Sequence, residues 1–422
     1  MSNYKLGLEY AQQQDQNDEL SSFREQFHIP KDNSGNELIY MTGNSLGLQP
    51  KITKNYIDQE LEDWAKLGVE GHTEGKNPWL HYHEFLTNTM AHIVGAKPLE
   101  VVVMNSLTAN LHFMMVSFYQ PTAKRYKILI EADAFPSDKY AVESQLRHHG
   151  YDDKEGLILW KAREGEELVN YDDLEHILNT QGDEIALIMI GGVNYYTGQF
   201  FNLKQITQLG HKKGCVVGFD CAHGAGNVQL NLHDSGADFA VWCTYKYLNS
   251  GPGSLSGAFV HERHANRKDL NRFTGWWSHN KQTRFRMRDD FDQLQGAEGW
   301  QLSNPPILSM AAIRASLDVF EKAGFERLCQ KSKQLTGYFE FLLNALNKSD
   351  IKIITPHHPD ERGCQLSIQV KNADKSLHQK LTQVGVVTDW REPDVIRCAP
   401  VPLYNSYMDV YGFVERLKQI LN

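Results

Sequence analysis

Between residues 101 and 261 one pattern recurs: a short apolar run, a stretch with helical spacing, then another apolar run. Strand candidates are 101–104, 127–131, 157–160, 185–190, 216–220, 239–244 and 257–261, and helical stretches at 111–119, 137–149, 171–181 and 203–213 separate the earlier ones. That alternation predicts an α/β fold, with a mostly parallel sheet covered by helices on both faces. After Ser303-Asn304-Pro305-Pro306 the pattern changes. Two long helices (307–322 and 324–346) lead to strands near 351–354 and 363–370, then to helix, strand and helix, which reads as a smaller α+β domain. The expected division is an N-terminal segment, 1–65, packing with the small domain, then a large domain, 66–303, and the small C-terminal domain, 304–422. No repeat or low-complexity linker interrupts the chain.

Open α/β sheets bind ligands beyond the carboxyl ends of their strands, so those ends carry the functional reading. The run Val216-Val217-Gly218-Phe219 ends on Asp220, with His223 following in a glycine-containing loop. At the end of the next apolar run Lys246 stands between Tyr245 and Tyr247. An ammonium is costly to keep dry, so either this lysine snorkels to water or its charge is chemically used. An amine made nucleophilic by burial attacks aldehydes, which is how pyridoxal phosphate is anchored as a Schiff base; the same cofactor needs a carboxylate to keep its pyridine nitrogen protonated. Blander readings stand beside these: Lys246 as an edge-strand lysine with a packed stem, Asp220 as a helix N-cap, and His223 as a surface histidine.

The phosphate of such a cofactor needs a cradle. After the first strand, Asn105-Ser106-Leu107-Thr108-Ala109-Asn110 leads into an apolar helix, so free backbone N–H groups and the Thr108 hydroxyl meet at a helix N-terminus. Another strand end supplies Ala134-Phe135-Pro136-Ser137-Asp138, where Phe135 is placed to lie flat on a pyridine ring. The alternatives are an ordinary Ser/Thr cap in the first segment, and in the second a hydrophobic staple before a helix capped at Ser137.

Composition bounds the remaining function classes. The chain has 422 residues, 41% hydrophobic and 23% charged, a globular profile. A formal net charge of -9 argues against a nucleic-acid or anionic-membrane surface, and the basic patch Arg284, Arg286 and Arg288 is followed at once by acids, as in a solvated or internally paired face. The longest apolar runs, as at 185–190, fall far short of the roughly 20 residues needed to span a bilayer. The polar, acidic start lacks the apolar core of a signal peptide, so a cytoplasmic protein is expected. Cysteines at 215, 221, 243, 329, 364 and 398 form no C-x-x-C pair, which predicts buried free thiols. The histidine pairs 81/83, 148/149 and 357/358 lack partners at ligand spacing, so no metal is expected.

The segments T-G-N-S-L-G-L-Q-P (42–50), N-S-L-T-A-N-L-H (105–112), A-F-P-S-D-K-Y-A-V-E-S-Q (134–145), Y-Y-T-G-Q (195–199), G-F-D-C-A-H (218–223), T-Y-K-Y-L-N-S-G-P-G (244–253), T-G-W-W-S-H (274–279), S-N-P-P-I-L (303–308) and I-R-C-A-P-V-P-L-Y-N-S (396–406) resemble the kynureninase family from end to end. That family has the pyridoxal-phosphate fold type I of the aspartate-aminotransferase group, as homodimers with active sites at the subunit interface. The resemblance implies Lys246 as Schiff-base lysine, Asp220 as pyridinium partner and Phe135 as stacking ring. It implies Leu107, Thr108, Pro136, Ser137, Asp138, His223 and Tyr245 as further cofactor contacts, with Trp276 and Asn304 reaching the cofactor from the partner subunit. Arg397 would grip the substrate α-carboxylate, a task suited to a planar guanidinium, while Ser45, His72 and Ser303, with Asn304, would surround the rest of the substrate. One departure stands out: Gly191 occupies a place where some relatives have serine, so a backbone group or water would serve instead. The implied reaction is hydrolysis of the Cβ–Cγ bond of L-kynurenine or 3-hydroxykynurenine, giving anthranilate or its hydroxy form and L-alanine. Its place would be tryptophan degradation and NAD synthesis, with Tyr245 as candidate proton relay. The competing readings are a cysteine desulfurase or an aminotransferase of the same fold, the former needing a loop thiol that strand-like Cys364 supplies poorly, and a catalytically dead binding protein.

Overall fold

The structure is a computed structural model that describes residues 4–421. Strands β1 (Val101–Met104), β2 (Lys127–Glu131), β3 (Leu157–Trp160), β4 (Ile185–Gly191), β5 (Val216–Asp220), β6 (Phe239–Cys243) and β7 (Ser256–Val260) form one sheet in the order β1-β7-β6-β5-β4-β2-β3. Only β7 opposes the common direction, pairing antiparallel with both β1 and β6. The α/β expectation therefore holds, with strand bounds shifted by a residue at a few ends.

Burial on both faces explains why these strands are continuous apolar runs. Successive side chains point to opposite faces, and accordingly Val101 and Val103 enter one core while Val102 and Met104 enter the other. Leu129, Ile188, Val217 and Trp242 share the first core; Ile128, Leu187, Phe239 and Val241 share the second. Full burial of each such side chain is worth roughly 1.5–3 kcal/mol. Gly218 opposes Phe239 in the β5–β6 ladder, and a Cβ there would lie 2.1 Å from that ring, so only glycine lets the aromatic cross its neighbour.

A second sheet of β8 (Ile351–Ile353), β9 (Leu366–Val370), β10 (Asp389–Arg391) and β11 (Val395–Cys398) is antiparallel in the order β10-β11-β9-β8. Helices Phe325–Ala345 and Tyr407–Ile420 cover it through Leu335, Phe339, Val410 and Phe413, joined by Ala11 of helix Leu8–Asn17. Helix Ile307–Ala323 instead places Met310, Ile313, Leu317 and Phe320 in the core of the large sheet. The N-terminal segment serves both bodies: Leu20, Phe27 and Leu48 join the large core, Ile39 and Met41 the small one. Strand Ile39–Tyr40 pairs in parallel with Val386–Val387.

Candidate active site

Five strands running the same way end on one edge of the large sheet, and the loops that leave them converge on one cavity. The end of β1 contributes Leu107 and Thr108, β2 contributes Glu131, Phe135, Ser137 and Asp138, β4 contributes Gly191, Val193 and Tyr195, β5 contributes Asp220, Ala222 and His223, and β6 contributes Tyr245 and Lys246. The chain leaves β2 toward the sheet edge and β4 toward its middle, so these neighbours form the topological switch point at which such sheets open a crevice.

Lys246 lies beyond a central strand, not an edge one, and its ammonium donates to Nε2 of His223 at 2.9 Å. His223 is buried rather than on the surface; burial, then the Lys246 charge, hold its imidazole neutral, well below the usual range. Its Nδ1 is buried without a hydrogen-bonding partner. Asp220 caps no helix: its Oδ1 accepts the Ala222 N–H at 2.7 Å in a local turn. Burial pushes the Asp220 carboxyl up, and burial together with the neighbouring Asp220 pushes Asp138 up further, so the pair favours one shared proton. The Phe135 ring is 43% exposed, its centroid 5.8 Å from Lys246 Nζ, and Tyr195 packs edge-on against it at 5.2 Å.

Two helix starts form the other end of the cavity. Helix Leu107–Phe118 starts earlier than its sequence pattern suggests, because the Asn110 side chain turns inward and donates to the Met104 carbonyl. Its N-cap residue Ser106 makes no side-chain cap, and neither does Phe135 before helix Pro136–His148. Thr108 and Ser137 therefore cap nothing; their hydroxyls stand 3.1 Å apart in the cavity wall beside two helix starts with free N–H groups. An ammonium, a buried carboxylate, an exposed ring face and this anion cradle fit pyridoxal phosphate, and the orphaned His223 Nδ1 is one more polar atom awaiting a partner. Pro136 is the first residue of its helix, between Phe135 and Ser137.

Arg397, on β11, is 1% exposed. Its guanidinium donates to the Tyr195 carbonyl at 2.7 Å and to Asp389 of the adjoining strand, and its Nε lacks a partner. Tyr195 thus links Arg397 to the cavity wall. Tyr245 lines the cavity, and burial, then the Cys243 thiol, keep its hydroxyl protonated far above neutral pH. Ser45, His72, Trp276, Ser303 and Asn304 do not line this cavity. Ser45, Ser303 and Asn304 are exposed, His72 is half-buried with Nδ1 2.9 Å from the Val69 carbonyl, and Trp276 is exposed and donates its indole N–H to the Arg284 carbonyl. Sequence reasoning missed Glu131, Val193, Tyr195 and Ala222 as wall residues.

The other sequence features settle as internal structure. Arg284 is buried against the Trp277 ring, its centroid 4.1 Å away, and donates to the Trp277 and His279 carbonyls, while Arg288 pairs with Asp290. His83 pairs with Glu298, which Lys281 also neutralises. The six cysteines are free, and all but half-buried Cys329 are buried.

Residues 328–417 match the family described as the kynureninase C-terminal domain. Curated relatives span almost the whole chain: a kynureninase of Myxococcus xanthus is 57% identical over 97% of this chain and 96% of that protein, and one of Homo sapiens is 48% identical over 97% and 92%. Among solved structures, a cysteine desulfurase of Thermococcus onnurineus superposes with a TM-score of 0.76 at 16% identity, covering 93% of this chain and 98% of that one. That likeness shares the fold, whereas identity near one half over almost the full length shows the family: the chain belongs to the kynureninase family.

Proposed function

We propose that this chain hydrolyses the Cβ–Cγ bond of L-kynurenine, and of 3-hydroxykynurenine, with pyridoxal phosphate as cofactor. The observation that carries the reading is the Lys246 ammonium on a neutral, buried His223, in one crevice with Asp220 and the exposed face of Phe135. Bound there, the cofactor supplies an aldehyde for Lys246 and a sink for the electrons of the breaking bond. Asp220 would hold its ring nitrogen protonated, Phe135 and His223 its faces, and Thr108, Ser137 and the helix starts at Leu107 and Pro136 its phosphate, with Asp138 behind Asp220. The Lys246 amine would serve as the base beside the substrate Cα. Tyr245, which lines the cavity as a phenol at neutral pH, would deliver the proton that Cβ needs when anthranilate leaves. Arg397 would receive the α-carboxylate, with Asp389 fixing the plane of its guanidinium.

The same reading completes each site across a homodimer, with Trp276 and Asn304 reaching the partner's cofactor and Ser45, His72 and Ser303 lying about the substrate. Its support is the cluster of exposed large apolar side chains between 273 and 291, Phe273, Trp276, Phe285, Met287 and Phe291, the kind of surface that marks an association site. It also keeps the division at 1–65, 66–303 and 304–422, with helix Ile307–Ala323 of the last unit packed into the large core, and assigns the protein to the cytoplasm, to tryptophan breakdown and NAD synthesis. Among the described residues no helix is long and apolar enough to cross a membrane. The desulfurase alternative is weakened because Cys364 is buried, with its thiol pushed up to about 12, and half-buried Cys329 sits within helix Phe325–Ala345, equally raised.

The decisive variant is Lys246→Ala. It should lose both the visible absorption of a lysine-linked cofactor and the release of anthranilate, since among the described residues no other amine lines the cavity. A variant that kept the band and near-normal turnover would end the assignment.

A further inference from the structure

Glu131 is a buried carboxyl in the cavity wall for which the chemistry above has no use. It ends β2, is 3% exposed, and accepts the Gly191 N–H through both oxygens, at 3.1 and 3.2 Å. Gly191 ends β4, and a Cβ there would lie 2.8 Å from Glu131 Oε1, so the carboxyl occupies the space of a side chain at position 191. That contact also consumes the Gly191 N–H, which is therefore not free to serve a cofactor directly.

The next residue shows what the contact is for. Gly192 donates its N–H to the Asp220 carbonyl at 2.7 Å, and Gly191 lies opposite Asp220 in the β4–β5 ladder. A Cβ at 192 would meet the Cys221 sulfur at 3.0 Å, so the backbone passes close to that side chain as well. Two successive glycines leave the end of β4 with little stiffness of its own. It is fixed from outside, by Asp220 on one side and Glu131 on the other. Resting on the pyridoxal-phosphate reading of this cavity, we propose that Glu131 is a positioning residue, which clamps the Gly191-Gly192 end of β4 and thereby holds Asp220 in register beneath the cofactor ring.

Burial pushes the Glu131 carboxyl up to about 7, and a neutral acid still accepts from Gly191. Glutamine keeps that acceptor and should substitute well. Alanine removes it, and Gly191→Ala displaces it while leaving the carboxyl in the chain. The test measures pyridoxal phosphate dissociation from the purified holoenzyme, the visible band and kcat. Glu131→Ala and Gly191→Ala should each weaken cofactor binding about tenfold and lower kcat, the cost of stranding one buried donor, whereas Glu131→Gln stays within about threefold of wild type. Because glutamine restores packing as well as the acceptor, Glu131→Met, which fills the same space without an acceptor, separates the two: loss equal to that of Glu131→Ala supports the clamp, and wild-type affinity overturns it. If Glu131→Ala does not fold, loss in Gly191→Ala with retention in Glu131→Gln still supports the clamp. Wild-type affinity in Gly191→Ala overturns it, and so does equal loss in Glu131→Gln. A wild-type protein that binds no pyridoxal phosphate would instead overturn the reading of the cavity on which the clamp rests.

Discussion

Replacing Arg397 by lysine keeps a positive charge and removes a planar fork, which makes it the sharpest test of the proposed carboxylate grip. In the structure the guanidinium is already oriented from behind, by Asp389 on one nitrogen and the Tyr195 carbonyl on another. A lysine ammonium reaches one of these partners but cannot hold both and also face a carboxylate in the plane of the fork. The loss is that of one or two charge-assisted hydrogen bonds, worth about 1.5–3 kcal/mol, or roughly 10- to 150-fold at 1.4 kcal/mol per decade. Because the α-carboxylate is bound alike before and during bond cleavage, most of this should appear in KM, with kcat changed less. Cofactor retention should stay at the wild-type level, since Arg397 is not among the cavity-lining residues. The assay is steady-state anthranilate release over a range of kynurenine concentrations, with the visible band as control. A kcat/KM within twofold of wild type would refute the grip and move it to Arg391, which lies 5.8 Å from the Tyr195 ring and pairs with Asp389.

The shared site is tested by mixing. Lys246→Ala and Asn304→Ala homodimers should both be impaired, and reassembling an equal mixture should leave about a quarter of all sites intact if each site draws on both subunits; a mixture no more active than its parents, with mixed dimers shown to form, places Asn304 in its own subunit's site. A second measurement concerns His223, whose folded-state pKa is depressed by burial. The unfolded chain then binds a proton that the folded one refuses, so the stability due to this group is whole above about pH 6.5 and is lost as pH falls below it. The urea midpoint of the holoenzyme should therefore drop more steeply between about pH 7 and about pH 5.5 than that of His223→Gln. Equal slopes would show that His223 takes up a proton in the folded state.

The strands were legible because a sheet buried on both faces leaves no room for polar alternation, and the end residues Asp220 and Lys246 were legible because a charge at the end of such a run needs a reason. Thr108 and Ser137 were ambiguous for a physical cause: a hydroxyl in the first turn of a helix serves equally as a cap or as a ligand contact. The structure removes the cap, since neither helix start carries a side-chain cap, and leaves both hydroxyls in the cavity wall. The fixed plane of Arg397 was within reach, since Asp389 and Arg397 are direct cross-strand partners in an antiparallel pair eight residues apart. Glu131 was not. In K-I-L-I-E a terminal glutamate reads as the point where a strand meets water, and nothing local distinguishes it from one that turns inward. What buries it is the strand order: β4 lies beside β2 although β3 intervenes in sequence, so the carboxyl meets the Gly191 N–H sixty residues away and the switch-point crevice opens over both. Periodicity identifies which residues leave a sheet at its carboxyl edge, but strand order decides which of them face one another, and the chemistry depends on that second arrangement.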